Sequence, residues 1–168
     1  MSTPLWQPSQ QETEKTLLTH FSKKIQQKYK LPDIEYSTLH QWSIEFPELF
    51  WEEVWIDCEV RCSVPWTKVM SKTGFSEKIG TEPSGWFTGA RLNFAENLLA
   101  QGKAENEALC FIGEDASTRS LSYAELRKAV EQCASGMAAL GVTADDRVAA
   151  VLPNCPEAII GMLAAASL

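Results

Sequence analysis

From Ala108 onward the sequence alternates short apolar runs with amphipathic stretches, and that order leaves few architectures open. Ala108 to Gly113 (ALCFIG) fits a strand, Glu114-Asp115-Ala116-Ser117 supplies a turn, and Arg119 to Leu121 returns as the partner strand. Ser122-Tyr123-Ala124-Glu125 has capping-box spacing, in which serine and glutamate side chains satisfy backbone donors at a helix start. The helix it opens runs to Leu140, with Gly141 just past its end. Leu126, Val130, Cys133, Met137 and Leu140 line its apolar face. Arg147 to Leu152 (RVAAVL) is continuously apolar after its first residue, as in parallel strands buried on both faces. Asn154 or Cys155 then caps a last helix begun by Pro156. Strand, helix, strand, helix is the order of an α/β domain.

The chain before Gly102 reads differently, as helices and loops rich in tryptophan. Ser9-Gln10-Gln11-Glu12 is an earlier capping box, and Leu17, Leu18, Phe21, Ile25 and Tyr29 recur at helical spacing. Acidic residues lie early and Lys23, Lys24, Lys28 and Lys30 late, which suits the helix dipole, and Pro32 ends the run. A helix from about Gln10 to Lys30 is expected, with the lysines as its solvated face rather than an anion site. A short helix near Ser37 carries Leu39 and Trp42, and Pro47 opens another to about Glu59. In that helix Phe50, Val54 and Asp57 form one row and Trp51, Trp55 and Cys58 the next. Such aromatics could stack on a substrate, but rings at helical spacing more often pack against each other. Cys58 and Cys62 are too few for a tetrahedral zinc site, since His20 and His40 lie well upstream. Val64 to Gly85 reads as irregular. Ser71-Lys72-Thr73-Gly74 within it lacks both the spacing and the leading strand of a phosphate loop.

Composition narrows the class further. With 45% hydrophobic residues the 168-residue chain can build a core, and a net charge of -7 disfavours nucleic acid as a partner. No basic-then-apolar leader follows Met1, and Pro153, Asn154, Pro156 and Glu157 interrupt the most apolar run, which falls short of the ~20 residues of a membrane span. Five cysteines without regular spacing favour reduced thiols and a cytoplasmic location.

Between the two halves lies Trp86 to Leu99, WFTGARLNFAENLL. Asn93 and Glu96 are read as caps of a helix Phe94 to Gln101, and Gly102 as its left-handed end. Leu92, Phe94, Leu98 and Leu99 are its packing contacts. Arg91 remains open between a functional contact and a structural ion pair. The spacing WF-x-G-x-x-LN-x-AENLL resembles the N-terminal segment of acyl-CoA synthetases of the acetyl-CoA synthetase type. Leu5-Trp6 with Pro8 and WSIEFPELFWEEVW match in order upstream. Ala95-Glu96-Asn97-Leu98-Leu99 resembles the acetoacetate-activating branch, since acetate-activating members usually carry YN-C in place of Glu96-Asn97-Leu98. LSYAEL, GVTADDRVA and LPNCPE, within Leu121 to Glu157, resemble the start of the large AMP-binding domain of adenylate-forming enzymes. That family commonly has Gly-Asp where this chain has Asp145-Asp146.

The resemblance implies a mostly helical N-terminal cap over 1–104 and the first strands and helices of an AMP-binding domain over 105–168. For the parent protein it implies a ligase using ATP, Mg²⁺ and CoA on acetoacetate, by way of an acyl-adenylate. The family's Ser/Thr/Gly phosphate loop, ribose-binding acid and catalytic lysine lie further along. No catalytic, cofactor-binding or metal-ligating residue is therefore assigned to this chain, and none of these ligands is expected to bind it alone. The last helix points the same way. If Ile159, Ile160, Met162, Leu163 and Leu168 all lacked a surface, on the order of 10 kcal/mol of burial would be forgone at ~1.5–3 kcal/mol each. The domain is expected to be incomplete and the chain an N-terminal fragment, completed by the missing remainder of the AMP-binding domain.

Overall fold

The computed structural model describes residues 5–32, 35–71 and 85–168. They fall into two compact units, Met1–Val60 with Trp66–Ala90, and Arg61–Pro65 with Arg91–Leu168. Together they make the mixed helix-and-strand fold expected from the sequence.

The first unit contains α1 (Gln10–Glu14), α2 (Leu17–Tyr29), α3 (Tyr36–Glu45), α4 (Pro47–Asp57), β1 (Lys68–Met70) and β2 (Trp86–Thr88). The Ser9/Glu12 capping box forms as expected. The single helix from Gln10 to Lys30 does not, because Thr16 acts as a second N-cap. Its hydroxyl accepts from the Thr19 amide at 3.2 Å, and this local alternative interrupts the helix ladder. The break turns Leu17 outward at 86% exposure and leaves Phe21, Ser22 and Ile25 as the buried face. Lys30, at φ 55°, ends α2.

Leu39 and Trp42 of α3 are buried with Phe21 and Ile25, and Tyr29, Leu49, Phe50 and Val54 pack around them. Trp42 lies 4.8 Å from Tyr29 between ring centroids, and Phe50 meets Phe21 edge-on at 5.9 Å. The aromatic rows of α4 thus pack on other rings. β1, inside the Val64 to Gly85 stretch expected to be irregular, pairs antiparallel with β2 just beyond it, Lys68 opposite Thr88 and Met70 opposite Trp86. Phe87 adopts φ 46°, and its ring lies tilted against Trp55 with centroids 4.5 Å apart. Lys72, Thr73 and Gly74 of the rejected phosphate-loop segment lie outside the described residues.

The second unit contains α5 (Phe94–Ala100), β3 (Glu107–Ile112), β4 (Thr118–Ser122), α6 (Tyr123–Ala139) and α7 (Pro156–Ser167). β3 and β4 form the expected hairpin, with Phe111 opposite Arg119, and the Ser122/Glu125 box caps α6. Leu126 and Val130 of α6, Ala95 of α5 and Leu163 and Ala164 of α7 are the buried core, with Leu99, Cys133, Met137, Ile159 and Ile160 against it.

Four expectations are corrected here. Arg147 to Leu152 pairs with no described strand, and Val148, Val151 and Leu152 are exposed, because a strand cannot be buried without neighbours to hydrogen-bond and cover it. Leu92, Phe94 and Leu98 are exposed too, and α5 buries Ala95 instead. Of the five apolar residues of the last helix only Met162 and Leu168 are exposed, so the burial forgone there is smaller than anticipated. Gly102 is not left-handed; among the described residues the positive-φ glycines are Gly89 and Gly141.

The turn after α6 explains the departure at Asp145. Asp145 has φ 74°, a conformation that costs an L-residue ~1–2 kcal/mol and glycine little. Asp146 does the turn's hydrogen bonding, accepting from the Thr143 amide at 2.8 Å and hydroxyl at 3.0 Å. Asp145→Gly is therefore expected to raise stability by about 0.5–1 kcal/mol, read as a higher urea midpoint. An unchanged or lower midpoint would refute that account.

Candidate functional site

The segment Arg91 to Leu99 holds the densest set of polar side chains that the sequence singled out. The Asn93 carboxamide caps α5, accepting from the Glu96 amide at 3.0 Å, as expected. Its Nδ2 also donates to the Ala166 carbonyl at 2.9 Å, so one side chain caps the start of α5 and the end of α7. Glu96 contributes its backbone N–H to this cap.

Asn97, read from the sequence only as part of the family-like motif and given no role of its own, makes more directed contacts than its neighbours. Its Oδ1 accepts from the Arg61 amide at 2.7 Å, while Nδ2 donates to the Arg61 carbonyl at 2.9 Å and to the Asn93 carbonyl at 2.9 Å. A side-chain amide here behaves as a length of strand, holding the Arg61 backbone to the helix. The available signal was an asparagine inside a helix, where its own propensity is poor.

Arg91 acts through its backbone. Its amide donates to the Val64 carbonyl at 3.0 Å, and its carbonyl accepts from the Ser63 amide at 2.8 Å. The residue is exposed and forms no ion pair among the described residues. Every assigned contact in the motif is thus structural: caps, a strand mimic and a bridge.

Two other charged clusters compete for attention. In the first unit Glu53, 1% exposed, accepts from the Lys28 ammonium and from the Tyr29 hydroxyl at 2.9 Å, both on Oε1. The hydrogen bond to Glu53 holds the Lys28 pKa above its ordinary value, and burial, then Glu53, pushes the Tyr29 phenol up. Lys24 pairs with Asp57 at 3.0 Å across the same helices. Two of the four clustered lysines are therefore committed to intramolecular pairs.

In the second unit Arg119 of β4 donates to Glu157 of α7 at 2.7 Å. That bond is the main reason the Glu157 carboxyl falls to about 2, helped by its own backbone amide and the Cys155 thiol. Because the folded pKa lies below the unfolded one, this contribution is present above the ordinary glutamate range and is lost as pH falls toward 2. NMR titration of the Glu157 carboxyl should show that low midpoint, and Arg119→Ala should return it toward 4.5. An unmoved midpoint in the variant would refute the assignment.

Neither cavity described suits a nucleotide. One of about 400 Å³ is lined mainly by Leu99, Val130, Ala134 and Ala138, and its Arg127 already donates to the Leu99 carbonyl at 2.6 Å. The other, about 170 Å³, runs between β3 and the start of α7 and includes Cys110 and Cys155. The strand pleat directs Cys110 away from the face shared by Phe111 and Arg119. All five cysteines are free thiols, and no group of three metal-ligating side chains occurs among the described residues. No helix there is long and apolar enough to cross a membrane.

Residues 36–98 match the family described as the acetyl-coenzyme A synthetase N-terminus, and residues 98–168 match the AMP-binding enzymes. The two matches adjoin at residue 98 and together run over residues 36–168. The chain is 35% identical over 167 residues to the acetoacetyl-coenzyme A synthetase of Rhizobium meliloti (strain 1021), covering 98% of this chain and 24% of that protein. It is 36% identical over 169 residues to the malonamoyl-CoA synthetase of Penicillium aethiopicum, covering 98% of this chain and 22% of that one. The solved acetoacetyl-CoA synthetase from Streptomyces lividans superposes with a TM-score of 0.83 at 33% identity, over 98% of this chain and 25% of that one. The chain therefore spans about a quarter of the length of these relatives.

Proposed function

We propose that this chain is the N-terminal quarter of an AMP-forming acid–thiol ligase acting on acetoacetate, and that it has no ligase activity by itself. The observation that carries this reading is the collinear match to acetoacetyl-CoA synthetases over 98% of the chain, in sequence and in fold. In the whole ligase, the acetoacetate carboxylate attacks the α-phosphate of ATP and pyrophosphate leaves. The CoA thiol then attacks the acyl carbon and AMP leaves. Mg²⁺ would offset the phosphate charge in the first step.

No residue described here fits these groups, so none is given a chemical role. The chain contributes scaffold: an aromatic-packed cap and the opening hairpin and helices of the adenylation domain, divided near residue 104. Completion by the rest of that domain accounts for the uncovered Val148 to Leu152 segment. The free thiols fit a cytoplasmic enzyme, and the net charge of -7 disfavours nucleic acid as a partner.

The test is acetoacetate-dependent ATP–pyrophosphate exchange. The 168-residue chain is expected to show none above background, and the same chain continued through the remaining three quarters is expected to show it. Exchange by the short chain would overturn the inactive-fragment reading. A second acyl assignment has one observation in its favour, the similarity to malonamoyl-CoA synthetase at 36% identity. Comparing kcat/KM for acetoacetate, acetate, propionate and malonamate in the continued enzyme separates these readings, and a preference for any acid but acetoacetate would refute the substrate named here.

A further inference from the structure

We draw no further inference here: the strongest candidate, the extended apolar segment Arg147 to Leu152 of the second unit with Val148, Val151 and Leu152 exposed, is an unpartnered face, and nothing in the structure shows what covers it.

Discussion

Gly102→Ala is expected to destabilise the second unit by about 3 kcal/mol, near the upper end of overpacking costs. A Cβ at this position would lie 2.0 Å from Cδ2 and Cε2 of the Tyr123 ring, well inside van der Waals contact. The ring has little freedom to withdraw. Tyr123 opens α6, with its amide donating to the Asn106 carbonyl at 3.0 Å, and the Ala124 amide donates to the Ala104 carbonyl at 3.0 Å. The Arg127 guanidinium lies over the same ring and reaches the Leu99 and Gly102 carbonyls at 2.6 and 3.3 Å. Moving the ring therefore also disturbs the bonds by which α6 holds the end of α5. Urea unfolding of the single variant and of Gly102→Ala with Tyr123→Ala reads the effect. The double variant should be less destabilised than the two single effects added together, because the clash has been removed. A Gly102→Ala protein within about 0.5 kcal/mol of the parent would refute the close-approach account.

Glu53→Ala is the second large effect, also about 3 kcal/mol, combining a cavity with the loss of a carboxylate that organises α2 and α4. Glu53→Met separates the two contributions. Methionine refills most of the volume, and Lys28, whose side chain is 53% exposed, can return its charge to water. Glu53 has one oxygen buried without a hydrogen-bond partner among the described residues, a desolvation cost that methionine does not carry. Glu53→Met is accordingly expected to cost about 1 kcal/mol or less. Its Tyr29 phenol should titrate lower than in the parent while remaining above its ordinary value, since burial is the larger cause of the upward shift. Equal destabilisation by alanine and methionine would mean that the carboxylate, rather than its volume, dominates.

Neither effect was legible in the sequence, for different reasons. A glycine after a helix ordinarily signals a left-handed cap, and Gly102 occupies that place while serving another need. Its requirement comes from a ring 21 positions later, a distance that no local pattern reports. Glu53 sits in a row of acidic residues on α4, and only the approach of Tyr29 and Lys28 from another helix makes it a core residue. Asn97 is a milder case: its oddness inside a helix could be seen, but its partner, the Arg61 backbone, could not. Conversely, both capping boxes, the Asn93 cap, the proline-initiated helices and the β3–β4 hairpin were visible, because each depends on residues a few positions apart.

The sequence by itself determined the class, the order of most elements and the resemblance to its relatives. Helical periodicity, cap spacing and turn residues act locally, and the motif from Trp86 to Leu99 is specific enough to identify its relatives. Tertiary structure decided which faces are buried: Ala95 rather than Phe94 on α5, Phe21 and Ile25 rather than Leu17 on α2, and an uncovered Val148 to Leu152 where a buried strand was expected. It also decided that Asn93, Asn97 and Arg91 act as joints in the scaffold. Burial and hydrogen-bond partnership depend on what packs across from a residue, and for most of these positions that partner lies dozens of residues away.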